Sequence, residues 1–388
     1  MTDTKLVQSE RMRLFIILAA GSLITMVGGV ASPVLPEVIT VLDFDRALAG
    51  NLVSIHALTI ALFSPILGFV ADKMGPLRVL VPSLVLYSIF GVAGAFLSDF
   101  WLLLASRALL GATAGGIAAG SLGVLGKLYD QERRAQIIAY ATAALTIAGI
   151  IFPLLGGTVG SLHWRYAFAL YSIAFPLAIM AVLAFPEIKN RRKPNTTNIS
   201  SELKRILLTA RVLELLMLVA LTAAIMYSVV IYAPMYLKEE LQLGTVANGV
   251  LLATRALTAG ITSAFGAKKL AKRYSIQGAI ALGFGLMALT LFTIPLLDYY
   301  LLLLVSASIF GMGFGLVLPN LYSSLSNASP QEIRSSILAI GIGTSFFGQF
   351  LSPVLLGPML NHGSFTGVFN TASVMALLAG GFLLRRMP

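Results

Sequence analysis

The sequence of 388 residues contains no cysteine and little charge. The missing cysteine excludes disulfides, thiolate metal sites and cysteine nucleophiles. Only 11% of the residues are charged, against about 25% in soluble globular domains, and this shortage argues against a water-soluble enzyme. Apolar residues are abundant instead, because 57% of the chain is hydrophobic and the mean hydropathy is +0.90. The composition therefore predicts a protein whose solvent is largely lipid.

Motifs for catalysis and for cofactor binding are also missing. The histidines His56, His163 and His362 are far apart and form no metal-ligand spacing. The sequence contains no nucleophile–base pattern and no Gly-rich phosphate loop of the Walker type. We therefore expect no enzyme, no ATP-driven pump, no metal and no cofactor. A non-transporting sensor is also disfavoured, because no soluble signalling domain is evident.

Long apolar runs dominate the chain, and each is close to the roughly 20 residues that a membrane-spanning helix needs. Continuous runs favour helices over a β-barrel, which would show short alternating segments. The sequence thus predicts an all-α membrane protein with twelve transmembrane helices. The predicted spans are Leu14–Leu35, Leu48–Val70, Leu77–Leu97, Phe100–Leu125, Ala135–Val159, Tyr166–Phe185, Val212–Leu237, Val246–Phe265, Ser275–Leu296, Tyr299–Tyr322, Ile337–Leu360 and Val368–Leu384.

The basic residues predict the orientation of these spans. With the N-terminus inside, 22 of the 27 Lys and Arg residues fall on the cytoplasmic side. The outside holds Arg46, Arg165 and Lys238, and the spans themselves hold Arg107 and Arg255. The formal net charge of +11 is therefore a topology signal and an attraction to anionic lipid, not a nucleic-acid footprint. We expect a multi-pass protein of the cell (inner) membrane with both termini cytoplasmic.

The chain divides into two similar halves. A polar segment, 186–211, separates six predicted helices in 1–185 from six in 212–388, and we interpret it as a cytoplasmic linker. Several residues recur at a constant offset of 200. The matches include Gln131, Glu132 and Arg134 with Gln331, Glu332 and Arg334, Pro153 and Gly157 with Pro353 and Gly357, and Gly111 and Gly115 with Gly311 and Gly315. Parallel six-helix repeats of this kind are typical of transporters.

The loop after the second span carries a recognisable motif. It reads Gly68-Phe-Val-Ala-Asp72-Lys-Met-Gly75-Pro-Leu-Arg78. This resembles the G-x-L-A-D-R-x-G-R-R signature of the major facilitator superfamily, with Pro-Leu where the family usually has two basic residues. The resemblance covers essentially the whole chain and implies two pseudo-symmetric six-helix bundles (the major facilitator fold). It also implies that Gly68, Asp72, Gly75 and Arg78 form a conformational latch. An edge carboxylate favours a helix N-terminus or a cation, and glycine permits a tight turn.

The fourth span carries an arginine followed by glycines. Arg107 precedes Gly111, Gly115 and Gly116, which is similar to a second signature of the family that is frequent in its proton-coupled members. At about 1.5 Å of rise per residue this arginine lies roughly 10 Å into the helix. Such a charge should face protein or a water-filled cavity and marks a functional site. The alternative is that Arg107 snorkels to the outer interface.

The fifth span and the loop after it add a third motif. They read Phe152-Pro153-Leu-Leu-Gly156-Gly157 and His163-Trp-Arg-Tyr-Ala-Phe168. These resemble an antiporter signature ending G-P-x-x-G-G, with phenylalanine for the first glycine, and the W-R-x-x-F that often follows it. Together with Pro33 and Pro36 they look like the twelve-helix drug:proton antiporter branch. From their chemistry alone, Pro153, Gly156 and Gly157 are predicted to kink and pack helices rather than to bind ligand.

Ionisable groups inside the spans are few. Every acidic residue is assigned to a loop or a helix end, so no carboxylate is expected mid-membrane in the spans that line the cavity in this family. His56, Arg107 and Arg255 lie about 10–13 Å down their spans at helical rise. A positive cluster there favours anionic, zwitterionic or neutral polar substrates. His56 is the candidate proton carrier, and the alternative is a hydrogen-bonded packing role.

Amphipathic side chains complete the predicted pathway. They are Tyr227, Tyr232, Asn320, Phe346 and Gln349. Such a lining suits amphipathic ligands. We expect a monomeric secondary transporter in membrane lipid that exports a small amphipathic or drug-like molecule with protons as the coupling ion. The alternative is a uniporter or symporter of an organic anion, lipid or sugar-like metabolite, which the missing membrane carboxylate favours.

Overall fold

The computed structural model describes residues 2–128, 131–185, 197–331, 333–361 and 364–385, and these residues form helices and no strand. The first half contains α1 (Thr2–Leu42), α2 (Arg46–Met74), α3 (Leu77–Ala93), α4 (Phe100–Leu128), α5 (Gln131–Leu162), α6 (Trp164–Ala169) and α7 (Ala174–Ala184). The second half contains α8 (Thr197–Leu207), α9 (Ala210–Glu239), α10 (Thr245–Ile261), α11 (Ala267–Thr293), α12 (Tyr300–Asn327), α13 (Arg334–Asn361) and α14 (Phe365–Leu384).

Within the described residues, ten helical stretches are long and apolar enough to cross a membrane. One of them, Thr245–Leu296, has 52 residues, more than twice the roughly 20 that a single crossing needs. Its helix breaks at Ser275, where the backbone leaves helical geometry. Counting this stretch as two crossings and adding the shorter apolar helix Leu77–Ala93 gives the twelve spans that the sequence predicts.

The first helix is longer than its predicted span. The span was expected to end at Leu35, between Pro33 and Pro36, and Glu37 was assigned with the other acidic residues to a loop or a helix end. The structure continues α1 to Leu42 with Pro33 and Pro36 inside the helix, and half-buried Glu37 lies within it. Prolines are tolerated inside membrane helices because neighbouring helices and side chains satisfy the freed backbone groups.

The predicted duplication is visible in the backbone. α4 begins at Phe100 and α12 at Tyr300, and α3 ends at Ala93 where α11 ends at Thr293, each pair 200 residues apart. The turn before the third membrane span of each half also repeats, because Gly75 has φ +106° and Ser275 has φ +72°. The halves are therefore pseudo-symmetric in their helix order and in the positive φ at this turn. Glu332 and His362, and the linker residues 186–196, lie outside the described residues.

Replacing Ser275 by glycine should stabilise the protein by about 1 kcal/mol. Its φ of 72° and ψ of 164° fall in a region that costs other residues about 1–3 kcal/mol. The Ser275 hydroxyl accepts a 3.1 Å hydrogen bond from Gly278 N, but glycine at such a cap loses only a few tenths of a kcal/mol. The unfolding midpoint in detergent measures the effect. Gly75→Ala should shift it the opposite way, and a lowered midpoint for Ser275→Gly would contradict the strain.

The helices group into two compact units. The first contains Met1–Asp43 and Ile55–Arg192, and the second contains Phe44–Ser54 and Lys193–Pro388. The first two turns of α2 therefore group with the second unit and the rest of the helix with the first. In each unit the core is built from buried aliphatic and aromatic side chains that face one another across the helices.

Candidate functional site

In the first unit, His56 lies where α2 crosses α4. The His56 side chain is 3% exposed, and it has an interaction partner. A methyl group added at Gly111 would overlap the backbone of His56 and the hydroxyl of Thr59, and one at Gly115 would lie 3.0 Å from Ser64 N. The two helices approach this closely because α4 carries glycine at both positions. The glycines that follow Arg107 therefore allow α2 to pack closely against α4 at His56.

Arg107 binds the carboxyl end of α3. Its side chain is 2% exposed, and Nη2 donates to Gly91 O at 2.9 Å and to Phe90 O at 3.2 Å. These carbonyls belong to the last turn of α3, where the helix dipole favours a cation. The guanidinium also lies 4.8 Å from the Phe168 ring and 5.1 Å from the Tyr171 ring. Arg107 is thus buried in protein and does not snorkel.

Two tyrosines extend this cluster to α1. Tyr171 OH donates to Val27 O at 2.8 Å, and Tyr87 OH donates to Leu23 O at 2.7 Å. The two rings meet edge to face, 5.8 Å apart. The arginine therefore belongs to a buried network that joins α1, α3, α4 and the 3₁₀ turn before α7. No motif in the sequence marks either tyrosine, so neither was predicted as a site residue.

The second unit has no equivalent of this arginine. Ala307 and Ile294 stand 200 residues after Arg107 and Gly94, and both line a small apolar void of about 10 Å³. In the first unit, a methyl group added at Gly94 would lie 2.7 Å from Arg107 Nη2. At these two equivalent positions the first half therefore has glycine beside arginine, whereas the second half has isoleucine and alanine. The charged network is specific to the first half.

Arg255 occupies in the second unit the position that His56 occupies in the first. A methyl group at Gly311 would overlap Arg255 O and the hydroxyl of Thr258, and one at Gly315 would lie 2.5 Å from Ala259 O. The crossing of α10 and α12 therefore repeats the crossing of α2 and α4. The equivalence was missed at sequence level because these residues are 199 apart while the glycines are 200 apart.

The surroundings of Arg255 include a predicted pathway tyrosine. Arg255 Nε is buried and has no hydrogen-bond partner among the described residues. Tyr227 lies within electrostatic range of the guanidinium, and its hydroxyl contacts Val53 O at 3.4 Å. The structure thus brings Arg255 and Tyr227 together in the second unit, beside the start of α2.

The start of α2 also meets Tyr232 and Pro353. A methyl group at Gly50 would lie 2.9 Å from Pro353 Cβ and 3.6 Å from Tyr232 OH. Tyr232 is fully buried, and its hydroxyl lacks a hydrogen-bond partner among the described residues. At the first residue of α2, Arg46 Nη1 forms an ion pair with Oε2 of Glu239, the last residue of α9, at 2.9 Å. The grouping of these α2 residues with α9 and α13 has no sequence signal.

The remaining predicted pathway residues lie on α12 and α13. Asn320 is buried, and its amide donates to Leu316 O at 2.8 Å and reaches Ala267 O at 3.5 Å. Phe346 and Gln349 are half-buried on α13. The Asn320 Nδ2 group therefore donates its hydrogen bonds to backbone carbonyls of the second unit.

The predicted latch residues surround the turn between α2 and α3. Gly75 is buried with φ +106°, and its N–H donates to Ala71 O at 3.0 Å, which ends α2 as glycine commonly does. Asp72 and Arg78 are exposed and each has an interaction partner. A methyl group at Gly68 would lie 3.9 Å from Ala119 Cβ, so that glycine has room. The turn thus requires Gly75 and not Gly68.

The α5 motif packs against α1. A methyl group added at Gly156 would lie 2.5 Å from Val30 O and 2.8 Å from Val30 Cα. Pro153 approaches Gly29 in the same way, with its Cδ 3.5 Å from a methyl group added there. Gly157 follows on the same helix. The two helix backbones are therefore in direct contact at this motif.

Comparison with known proteins agrees with these features. The sequence model of the family described as Major Facilitator Superfamily matches residues 17–353. Quinolone resistance protein NorA of Staphylococcus aureus (strain MRSA252) is 23% identical over 347 residues, covering 86% of each chain. Bacillibactin exporter of Bacillus subtilis (strain 168) is 22% identical over 343 residues, covering 85% of each chain.

Solved structures show the same fold. A bacterial homolog of the human lysosomal transporter Spinster, inward-facing and occupied, superposes with a TM-score of 0.81 at 15% identity, over 96% of this chain and 95% of that chain. A D-xylose-proton symporter gives 0.80 at 17% identity, over 97% and 98%. With twelve apolar helices in two repeats and a family match over most of its length, the chain belongs to the major facilitator superfamily and is a membrane transporter, not an enzyme.

Proposed function

We propose that the chain is a proton-coupled exporter of small amphipathic or drug-like compounds that works by alternating access. The observation that carries the proposal is the resemblance, over 85–86% of the chain, to NorA and to the bacillibactin exporter. At 22–23% identity these relatives support the class of substrate and leave its identity open. Quinolones and bacillibactin are therefore the first compounds to test.

The buried ionisable groups give this proposal its candidate residues. We assign His56 as a proton carrier, because an imidazole titrates near neutral pH and this one is buried at a helix crossing. Arg255, at the equivalent crossing, is assigned to substrate together with Tyr227 and Tyr232. Asn320, Phe346 and Gln349 are proposed to complete the lining. Arg107 is proposed to belong to the same pathway through its cluster.

The other assignments follow the family resemblance. We propose that Gly68, Asp72, Gly75 and Arg78 act as the conformational latch, and that Pro153, Gly156 and Gly157 hold α5 against α1. We also propose two functional bundles, 1–185 and 212–388, joined by the linker 186–211. The protein is proposed to lie in the cell membrane as a monomer, with both termini in the cytoplasm.

A pH-gradient assay with histidine variants tests the coupling. In liposomes we expect transport of a quinolone or of bacillibactin to respond to an imposed pH gradient, and His56→Ala to lose that response while retaining downhill exchange. His163→Ala is the matched control, because His163 is exposed, caps the start of α6 and packs only on rings of that helix. A wild-type flux that ignores the gradient, or equal losses in both variants, would refute the assignment.

A second candidate function is uniport or symport of an organic anion or another polar metabolite. Arg255 favours it, because a buried guanidinium with an unpaired N–H suits an anionic group. Glu37 lies in the last two turns of α1 and is a second candidate for the proton carrier. Loss of pH response in Glu37→Gln alone would move the proton-carrier assignment from His56 to Glu37.

A further inference from the structure

A crevice of about 1130 Å³ opens on the surface of the first unit. One wall is formed by Ile89 of α3 and Phe96 of the turn after it, and the other by the α6–α7 segment with Tyr166 and Ile173. All four side chains are more than half exposed, from 54% for Ile89 to 80% for Phe96. The crevice forms where small residues face each other beside the 3₁₀ turn Leu170–Ile173. His56 and Arg107 are not among its lining residues.

A cation, Arg165, lies next to one end of this crevice without lining it. Arg165 immediately precedes Tyr166, and its Nη2 donates to Ser98 Oγ at 3.1 Å, two residues after Phe96. The guanidinium carbon lies 5.1 Å from the Trp164 ring centre. Arg165 Nε is buried and has no hydrogen-bond partner among the described residues. Ser98 therefore holds the guanidinium next to the end of the crevice that Phe96 and Tyr166 line.

We propose that this crevice binds an anionic phospholipid, with one acyl chain between α3 and α7 and the phosphate on Arg165. The walls are apolar, and they belong to the membrane-length stretch Trp164–Ala184 and to the shorter apolar helix Leu77–Ala93. Tyr166, which is exposed, is a residue type that marks the headgroup level, and guanidinium binds phosphate through paired hydrogen bonds. Basic groups at the ends of membrane helices select anionic headgroups. The predicted orientation places this lipid in the outer leaflet.

The site lies close to the Arg107 network. Val92 and Ala93 of the last turn of α3 line the crevice, and Arg107 binds the carbonyls of Phe90 and Gly91 in the same turn. Tyr171 of the network belongs to the 3₁₀ turn that forms the other wall. A bound acyl chain therefore packs against both elements and should stabilise the first unit, since a ligand of the native state raises stability.

Photo-crosslinking of lipids to the full chain in liposomes tests the site. The probes are phosphatidylglycerol and phosphatidylcholine with the same diazirine-bearing acyl chain, and the readout is labelling of peptides that contain Ile89 or Ile173. We expect about fivefold more labelling with phosphatidylglycerol, the factor expected for one cation near the membrane surface. Arg165→Gln should abolish this preference and Arg165→Lys should retain most of it.

Two further variants complete the experiment. Ala169→Phe should fill the crevice, because Ala169 lines it, and should lower labelling by both lipids about fivefold or more. Arg46→Gln is the matched control, since Arg46 is paired with Glu239, and should change nothing. The unfolding midpoint confirms that each variant is folded. Equal labelling of wild type by both lipids, or a preference that survives in folded Arg165→Gln, would overturn the proposal.

Discussion

Arg107→Ala should lower transport at least about tenfold and the free energy of unfolding by about 3 kcal/mol. The guanidinium donates to two carbonyls in the last turn of α3, and each hydrogen bond to a charged group contributes about 1.5–3 kcal/mol. Alanine also leaves a cavity beside Phe168 and Tyr171. Because the guanidinium then no longer holds the last turn of α3 against α4 and the Tyr171 turn, we expect the transport rate per folded molecule to fall as well. Liposome flux and the detergent unfolding midpoint measure the two effects.

Two variants separate the network from general damage to α4. Leu109→Ala shortens a hydrophobic side chain on the same helix. Leu109 is 46% exposed, so we expect little change in transport or in stability. Arg107→Lys keeps the charge but lacks the planar guanidinium that stacks on Phe168 and Tyr171, and should be intermediate. Normal transport by folded Arg107→Ala would remove Arg107 from the pathway and leave it a structural residue.

Gly156→Val should destabilise the protein by about 3 kcal/mol or more and should abolish transport. Even the first carbon of the new side chain would lie 2.5 Å from Val30 O and 2.8 Å from Val30 Cα. These are backbone atoms of α1, which cannot rotate away, so the helices must separate. Overpacking a core costs about 1–3 kcal/mol when side chains can adjust, and here they cannot. Expression level, unfolding midpoint and flux all report the effect.

Gly21→Ala is the matched control for this substitution. Gly21 lies on α1 in the same unit, and a methyl group added there meets nothing within 4 Å. Alanine should be neutral or stabilising by up to about 1 kcal/mol, because glycine is unfavourable inside a helix. Near-normal stability of Gly156→Val would show that α1 and α5 are not in backbone contact.

The helices and their repeat were predictable because both leave a local signal. Each apolar run reports its own span, and the offset of 200 predicts both Phe100 with Tyr300 and Gly75 with Ser275. The first span was predicted to end too early, at Leu35, because Pro33 and Pro36 indicate a helix end in water, whereas the membrane helix continues through them to Leu42. Local sequence rules therefore predict the helices correctly, except where a rule that holds in water, such as proline ending a helix, does not hold in lipid.

The contacts of the candidate site were not predictable, because they depend on which helices meet. The sequence marks Arg107 as unusual, but its partners are backbone carbonyls of α3, and a backbone carbonyl has no sequence signature. The equivalence of His56 and Arg255 depends on glycines of the facing helices, Gly111 and Gly311. Tyr171 of the Arg107 network is an ordinary aromatic residue in an apolar run. Such side chains acquire a role only from tertiary packing.

The direction of accumulation under a pH gradient tests the central proposal most directly. Proteoliposomes with an imposed gradient are given a transported compound, and protein-free liposomes correct for passive redistribution. In an antiporter, protons leave the acidic compartment as substrate enters it, so we expect accumulation on the acidic side and its collapse when a protonophore dissipates the gradient. Accumulation on the alkaline side would identify a symporter, and equilibration without accumulation would identify a uniporter. Either result would contradict proton-coupled export.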